Sequence, residues 1–242
     1  MSQIVVVKVG STFPSLSHRR GDFEDWILSS MALHPDLTFV VNAQCAIALP
    51  EFDQVLGIVV TGSHTSVTDH YDWSERTAEW LAKAVAREIP ILGICYGHQL
   101  LAYALGGEVG QNPNGLEYGT VEIQLTANAQ GDALFGGLPT PLRVHLSHAQ
   151  TVLRLPDGAR RLAFSTMDGN QAFAVGPLAW GVQFHPEYDA EVAKEYIHQD
   201  RGALLAEKQD PDRLIETCVY TLQAGTILRR FTDIVFQSSK GR

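Results

Sequence analysis

Ile89-Pro90-Ile91-Leu92-Gly93-Ile94-Cys95-Tyr96-Gly97-His98-Gln99-Leu100-Leu101 is the stretch on which the reading of the fold turns. A short apolar run, bounded by proline and rich in isoleucine, reads as a buried strand, and it passes without a loop into an apolar helical run. Cys95 stands at the joint. Gly93 and Gly97 flank it two residues to either side, the G-x-nucleophile-x-G spacing of a sharp strand-to-helix elbow that relieves crowding around a strained backbone. Such an elbow presents its side chain at the carboxyl edge of a parallel sheet, where open α/β folds place ligands. It also sets the sulfur at a helix N-terminus, whose partial positive charge favours thiolate. The amide of Tyr96 is then placed to donate to an oxyanion. A purely structural reading also stands, in which the glycines permit close packing and Cys95 is a core residue.

Working outward, the runs Ile4–Val9, Leu37–Val41 and Val55–Thr61 have the same β-branched, continuously apolar character as Ile89–Cys95. Buried parallel strands have this texture. Between them Phe23, Trp26, Ile27 and Met31, and later Thr77, Trp80, Leu81, Ala84 and Val85, recur at helical spacing. The alternation predicts an α/β fold with an open, mostly parallel sheet and helices on both faces. Beyond Gly106–Gly107 the pieces Thr120–Leu125, Leu142–Leu146, Arg161–Ser165, Gln171–Val175 and Ala179–Phe184 have little helix between them, which predicts an antiparallel extension of the same sheet. Asp189 is placed to cap a helix through Val192, Tyr196 and Ile197. Asp210-Pro211 opens a final helix expected to carry Leu214, Ile215, Cys218, Val219, Leu222 and Ile227. Residues 1–242 are therefore expected to form one domain, with 189–242 a C-terminal helical extension.

With 242 residues, 45% hydrophobic and 19% charged, the chain can bury a sizeable core. A formal net charge of −9 argues against nucleic-acid binding, which needs a basic surface to displace counterions. The first ten residues lack the ordered parts of a secretory leader, and no apolar run approaches the roughly 20 residues of a membrane-spanning helix. Cys45, Cys95 and Cys218 are scattered without metal or disulfide spacing, as reduced cytoplasmic thiols would be. The expectation is a cytoplasmic protein with no membrane, metal or cofactor requirement.

A thiol with pKa about 8.5 is only slightly ionised at neutral pH, so its attack on an amide calls for a base. Trp180-Gly181-Val182-Gln183-Phe184-His185-Pro186-Glu187 supplies one: a strand ending in an imidazole, a strand-breaking proline and a carboxylate that could fix the tautomer of His185. In isolation His185 could be a surface residue and Glu187 a helix-start residue. Two weaker pieces follow strands and could join the same edge. The turn Thr61-Gly62-Ser63-His64 offers the Gly62 amide as a second oxyanion donor, and Leu146-Ser147-His148-Ala149-Gln150 offers polar groups.

In this order the four pieces resemble the class I glutamine amidotransferase family, with a texture similar to the glutaminase domain of GMP synthetase. Gly93-Ile94-Cys95-Tyr96-Gly97-His98-Gln99 and Phe184-His185-Pro186-Glu187 match that family almost letter for letter, with fainter echoes in Gly106-Gly107-Glu108-Val109-Gly110 and Asn112-Pro113. The resemblance covers roughly Val55 to Glu187. It implies a flavodoxin-like sheet, Cys95 as nucleophile forming a thioester with a glutamine or γ-glutamyl amide, His185 as proton shuttle and Glu187 as its orienter. It further implies Gly62 and Tyr96 as oxyanion donors, with Gln99, Ser63, Ser147 and His148 holding the glutamyl group. Two departures loosen the tie to free glutamine: Gly62-Ser63-His64 stands where the family usually has Gly-Gly-Pro, and Ser147-His148-Ala149-Gln150 where it has Ser-His-Gly-Asp.

About 55 residues follow Glu187, without a phosphate-binding glycine loop, so the expectation is a stand-alone hydrolase releasing ammonia or an amine. One alternative is a glutaminase subunit feeding a separate synthetase. Another is a non-catalytic binding or regulatory subunit that retains the pocket. A metal-dependent hydrolase is disfavoured because the nine histidines show no HExxH or comparable spacing.

Overall fold

The computed structural model describes residues 2–45 and 48–239. Met1 of the expected first segment and residues 240–242 of the expected C-terminal extension lie outside the described residues. The strands are β1 (Gln3–Lys8), β2 (Thr38–Asn42), β3 (Val55–Val60), β4 (Ile91–Ile94), β5 (Glu108–Gln111), β6 (Glu117–Leu125), β7 (Leu142–His148), β8 (Gln150–Arg154), β9 (Arg160–Phe164), β10 (Ala172–Val175) and β11 (Ala179–Val182). The helices are α1 (Pro14–Arg20), α2 (Phe23–Met31), α3 (Asp72–Val85), α4 (Tyr96–Ala104), α5 (Ala127–Gln130), α6 (Ala190–Gln199), α7 (Arg201–Ala206), α8 (Pro211–Glu216) and α9 (Thr226–Ser239).

A nine-stranded sheet has the order β2-β1-β3-β4-β11-β10-β9-β6-β7. The first five are parallel to one another, and β10, β9, β6 and β7 continue the sheet antiparallel. This is the flavodoxin-like arrangement expected, with the antiparallel extension on the side of β11. Alternation along β1 explains the layers: Ile4 and Val6 point into one core with Ile27 and Met31 of α2 and Ile227 and Phe231 of α9. Val5 and Val7 point into the other, with Leu81 and Ala84 of α3 and Leu100 and Leu101 of α4. A strand buried on both faces has to be apolar throughout its buried length, as Ile4–Val7 of β1 and the strands β3 and β4 are.

Three expectations need correction. The strand through Leu37–Val41 is an edge strand with β1 as its single neighbour, and Phe39 and Val40, which point to opposite faces, are both exposed. A second sheet of β5 and β8, unread in the sequence, packs beside α4. The final helix is two helices. Thr217 turns its hydroxyl back onto the carbonyls of Arg213 and Leu214, and the Val219 amide donates to Thr120 Oγ1 at 3.1 Å, so the chain leaves α8 before α9 begins. The Asp189 cap forms as expected, accepting from Val192 N at 2.8 Å.

In α9, Ile227, Leu228, Phe231 and Val235 are fully buried, so this segment closes one face of the sheet. Phe231→Ala is expected to cost about 3–5 kcal/mol in chemical denaturation. A loss below about 1 kcal/mol would show that α9 is an appendage.

Candidate functional site

The elbow forms where β4 becomes α4. Cys95 sits between them at φ 51°, ψ −101°, a left-handed backbone that an L residue adopts only under strain, on the order of 1–3 kcal/mol. Close approach fixes it there. A Cβ on Gly93 would collide with the backbone of Gly97, and one on Gly97 would lie 2.5 Å from the Val60 carbonyl oxygen. The Cys95 amide donates to Val182 O at 2.8 Å and the Gly97 amide to Thr61 O at 3.2 Å, tying the elbow to the ends of β11 and β3. Tyr96 opens α4, so its amide belongs to the first turn, whose N–H groups have no carbonyl within the helix to bind.

His185 and Glu187 arrive on the segment after β11, held by the His185 amide donating to His145 O at 2.9 Å. His185 Nδ1 donates to Glu187 Oε1 at 2.7 Å, with both side chains almost wholly buried. That bond leaves Nε2 free to serve the thiol, and the Cys95 sulfur is near enough to raise the His185 pKa. The imidazole is clamped between rings: Tyr188 stacks on it at 4.0 Å and 13°, Phe23 at 6.2 Å and 16°. Burial alone would push its pKa down. The Glu187 carboxylate and the Cys95 sulfur outweigh burial and hold His185 well above its ordinary value, at about 10. Gly62 is against this ring as well, since a Cβ there would lie 3.1 Å from His185 Cε1.

In front of the elbow opens a cleft of about 380 Å³, into which Ser63, Cys95, Tyr96, Gln99, Ser147 and His148 all face. Gly62, His185 and Glu187 sit behind it, so the structure brings all nine singled-out residues to one sheet edge in two layers. Their freedom differs. Gln99 Nε2 donates to the Gln150 carbonyl at 2.8 Å and to Gln183 Oε1 at 3.0 Å. His148 Nδ1 donates to the same carbonyl at 2.9 Å, and its Nε2 is 3.0 Å from Glu117 Oε2. Both side chains are therefore occupied within the protein, and what they offer a ligand is chiefly the backbone they hold. Ser63 Oγ is spent on Thr65, whereas the buried Ser147 hydroxyl has no hydrogen-bond partner among the described residues.

Several participants went unread in the sequence. Gln183 Nε2 lies 3.5 Å from Cys95 Sγ and donates towards it, continuing a buried chain through Gln99 and Gln150 to His148 and Glu117. Its signal was its place two residues before His185 on a strand that had to end at the elbow. Glu117, His148 and Asp168 bring potential metal-ligand atoms within 4.8 Å of one another. Here Ser165 and Gln171 also bond the Glu117 carboxylate, at 2.7 Å each, so the cluster is a hydrogen-bonded buttress behind the cleft.

Residues 29–202 match the family described as glutamine amidotransferase class-I. The chain belongs to that family. γ-Glutamyl peptidase 5 of Arabidopsis thaliana is 30% identical over 177 residues, covering 67% of this chain and 70% of the relative. A glutamine-hydrolysing GMP synthase of Aeropyrum pernix is 34% identical over 200 residues, which are 80% of this chain and 35% of that enzyme, so the matched part is about a third of the length of that relative. The fold is similar to that of a glutamine amidotransferase from Thermotoga maritima, with a TM-score of 0.76 and 24% identity over 97% of this chain and 98% of that one. Among the described residues, no helix is long and apolar enough to cross a membrane.

The clamp on His185 has a measurable signature. Histidine-resolved NMR titration is expected to find His185 still protonated above pH 7.5, and Glu187→Gln is expected to bring its pKa down to or below about 6.5. Because the folded value exceeds the unfolded one, the stabilisation is complete below about pH 6.5 and is lost as pH rises towards about 10. The stability advantage of wild type over Glu187→Gln should shrink across that window. Ordinary titration of His185 in both proteins would contradict the clamp.

Proposed function

We propose that this amidotransferase hydrolyses a glutamine or γ-glutamyl amide through a thioester on Cys95, releasing ammonia or an amine. The observation that carries the proposal is the line from Glu187 through His185 to Cys95, buried behind a cleft that opens on the sulfur. In this reaction the Cys95 sulfur, facing the proton held on His185, attacks the amide carbon. The oxygen becomes an oxyanion, taken up by the amides of Tyr96 and Gly62; removal of one such donor typically costs about 3 kcal/mol of barrier. His185 passes its proton to the leaving nitrogen, the C–N bond breaks and the thioester remains. Water then gives a proton to His185 and attacks the same carbon; the C–S bond breaks, the acid leaves and the sulfur again faces protonated His185.

The raised pKa of His185 fits a group that holds this proton between the two transfers. Gln183, donating towards Sγ, fixes the direction of the sulfur, and Gln99 and His148 hold the backbone of the Ser147–Gln150 segment for the glutamyl group. The names of two relatives support the substrate class: one is a γ-glutamyl peptidase and the other a glutamine-hydrolysing synthase. The second name also supports a reading in which the ammonia is used by a separate synthetase. In that case glutamine turnover would rise when the partner is added.

Release of glutamate from glutamine and from γ-glutamyl dipeptides is the test. Cys95→Ala is expected to lower turnover by roughly 10³-fold or more, and Gln183→Leu to lower kcat by roughly 10-fold with KM nearly unchanged. Absence of Cys95-dependent turnover on both substrates, with or without cell extract, would overturn the proposal.

A further inference from the structure

We infer that Asp200 is the cation-binding residue of this cleft and receives an ammonium group carried by the substrate. Asp200 stands between α6 and α7 and faces the same cleft as Cys95. No lysine or arginine lines that cleft, and Asp200 is the one aspartate or glutamate among its described lining residues. The Tyr118 hydroxyl donates to Asp200 Oδ2 at 3.0 Å and holds the carboxylate in place without neutralising it. The adjacent cation, Arg201, is committed elsewhere, to both oxygens of Asp212 at 2.8 and 2.6 Å.

His64 also lines the cleft, and its Nε2 lies 3.3 Å from the Tyr196 hydroxyl. Burial lowers its pKa, with the Asp200 charge opposing, so His64 is neutral at pH 7 and supplies no counter-charge. A carboxylate that loses water when a ligand enters costs free energy unless the ligand brings the partner. The cleft therefore selects a cationic ligand and disfavours a neutral one of the same shape.

Sequence context sharpens the assignment. Gln150 stands where the family's motif has aspartate, and its Nε2 is bonded to Thr68 Oγ1 at 2.7 Å. The acid that lines this cleft, Asp200, comes from a helix junction on another part of the chain. A γ-glutamyl substrate offers two sources of ammonium: the α-amino group of the glutamyl part, and a second amine on the leaving side. The inference rests on the γ-glutamyl reading only for the identity of the ligand, and a binding readout separates the two.

The experiment is titration calorimetry on Cys95→Ala, with and without Asp200→Asn, using three probes. L-Glutamine carries the α-ammonium only. The Nα-acetyl-γ-glutamyl amide of 1,4-diaminobutane carries an ammonium only on the leaving side, and Nα-acetylglutamine carries none. Asp200→Asn is expected to weaken one or both cationic probes by roughly 10- to 100-fold while leaving Nα-acetylglutamine within about twofold. The probe that is weakened identifies the source. Asp200→Ser, which removes the charge with a smaller side chain, should give the same ranking, and thermal melting checks that both variants fold. Equal loss for all probes, no loss for either cation, or no binding of any probe would overturn the inference, whether or not wild type turns over glutamine.

Discussion

Everything at this site depends on a backbone contact with no side chain in it. Gly93 and Gly97 meet across the β4–α4 joint, Gly97 rests on the Val60 carbonyl, and Cys95 is thereby held at φ 51°. The strain of that conformation is offset by the hydrogen bonds that tie the elbow to β11 and β3 and by the two apolar cores on either side of the sheet. A parallel sheet gathers its strand ends at one edge. The turn at Gly62, the elbow at Cys95 and the segment carrying His185 and Glu187 are neighbours for that reason, although they are scattered across the sequence.

The electrostatics follow from burial. His185 is enclosed by Tyr188, Phe23 and Gly62, in surroundings that by themselves would strip its proton. The short bond to Glu187 and the nearby sulfur reverse that tendency, which makes the imidazole a held proton store close to the thiol. The cleft is organised differently. Its side chains are largely satisfied by one another, through Gln99, Gln183, His148 and Glu117, and what faces a ligand is backbone, the Ser147 hydroxyl and the carboxylate of Asp200.

The parallel half of the fold was legible because strands buried on both faces are continuously apolar, and the elbow because its two glycines flank a cysteine where a strand runs directly into a helix. The pairing of His185 with Glu187 was legible for a local reason, as a proline between them ends the strand and turns both inward. What escaped depended on long-range contacts. Nothing in Phe39 or Val40 announces an edge strand. The Thr120 hydroxyl that draws the Val219 amide away from a helix is about a hundred residues distant in the chain. Gln183 and Asp200 look like ordinary polar residues until the sheet edge brings one to the sulfur and the other to the cleft, and the side chains of Gln99 and His148 proved to be engaged within the protein.

The central claim is that Cys95 is a nucleophile in a site shaped for a glutamyl amide, and mass spectrometry after brief exposure to a glutamine-like electrophile tests it most directly. Cys45 is exposed, whereas Cys95 and Cys218 are buried, so accessibility alone predicts that Cys45 reacts first. Modification confined to the Cys95 peptide, and slowed by Glu187→Gln, is the result expected of an activated thiol. Labelling of Cys95 no faster than Cys45 or Cys218 would contradict it.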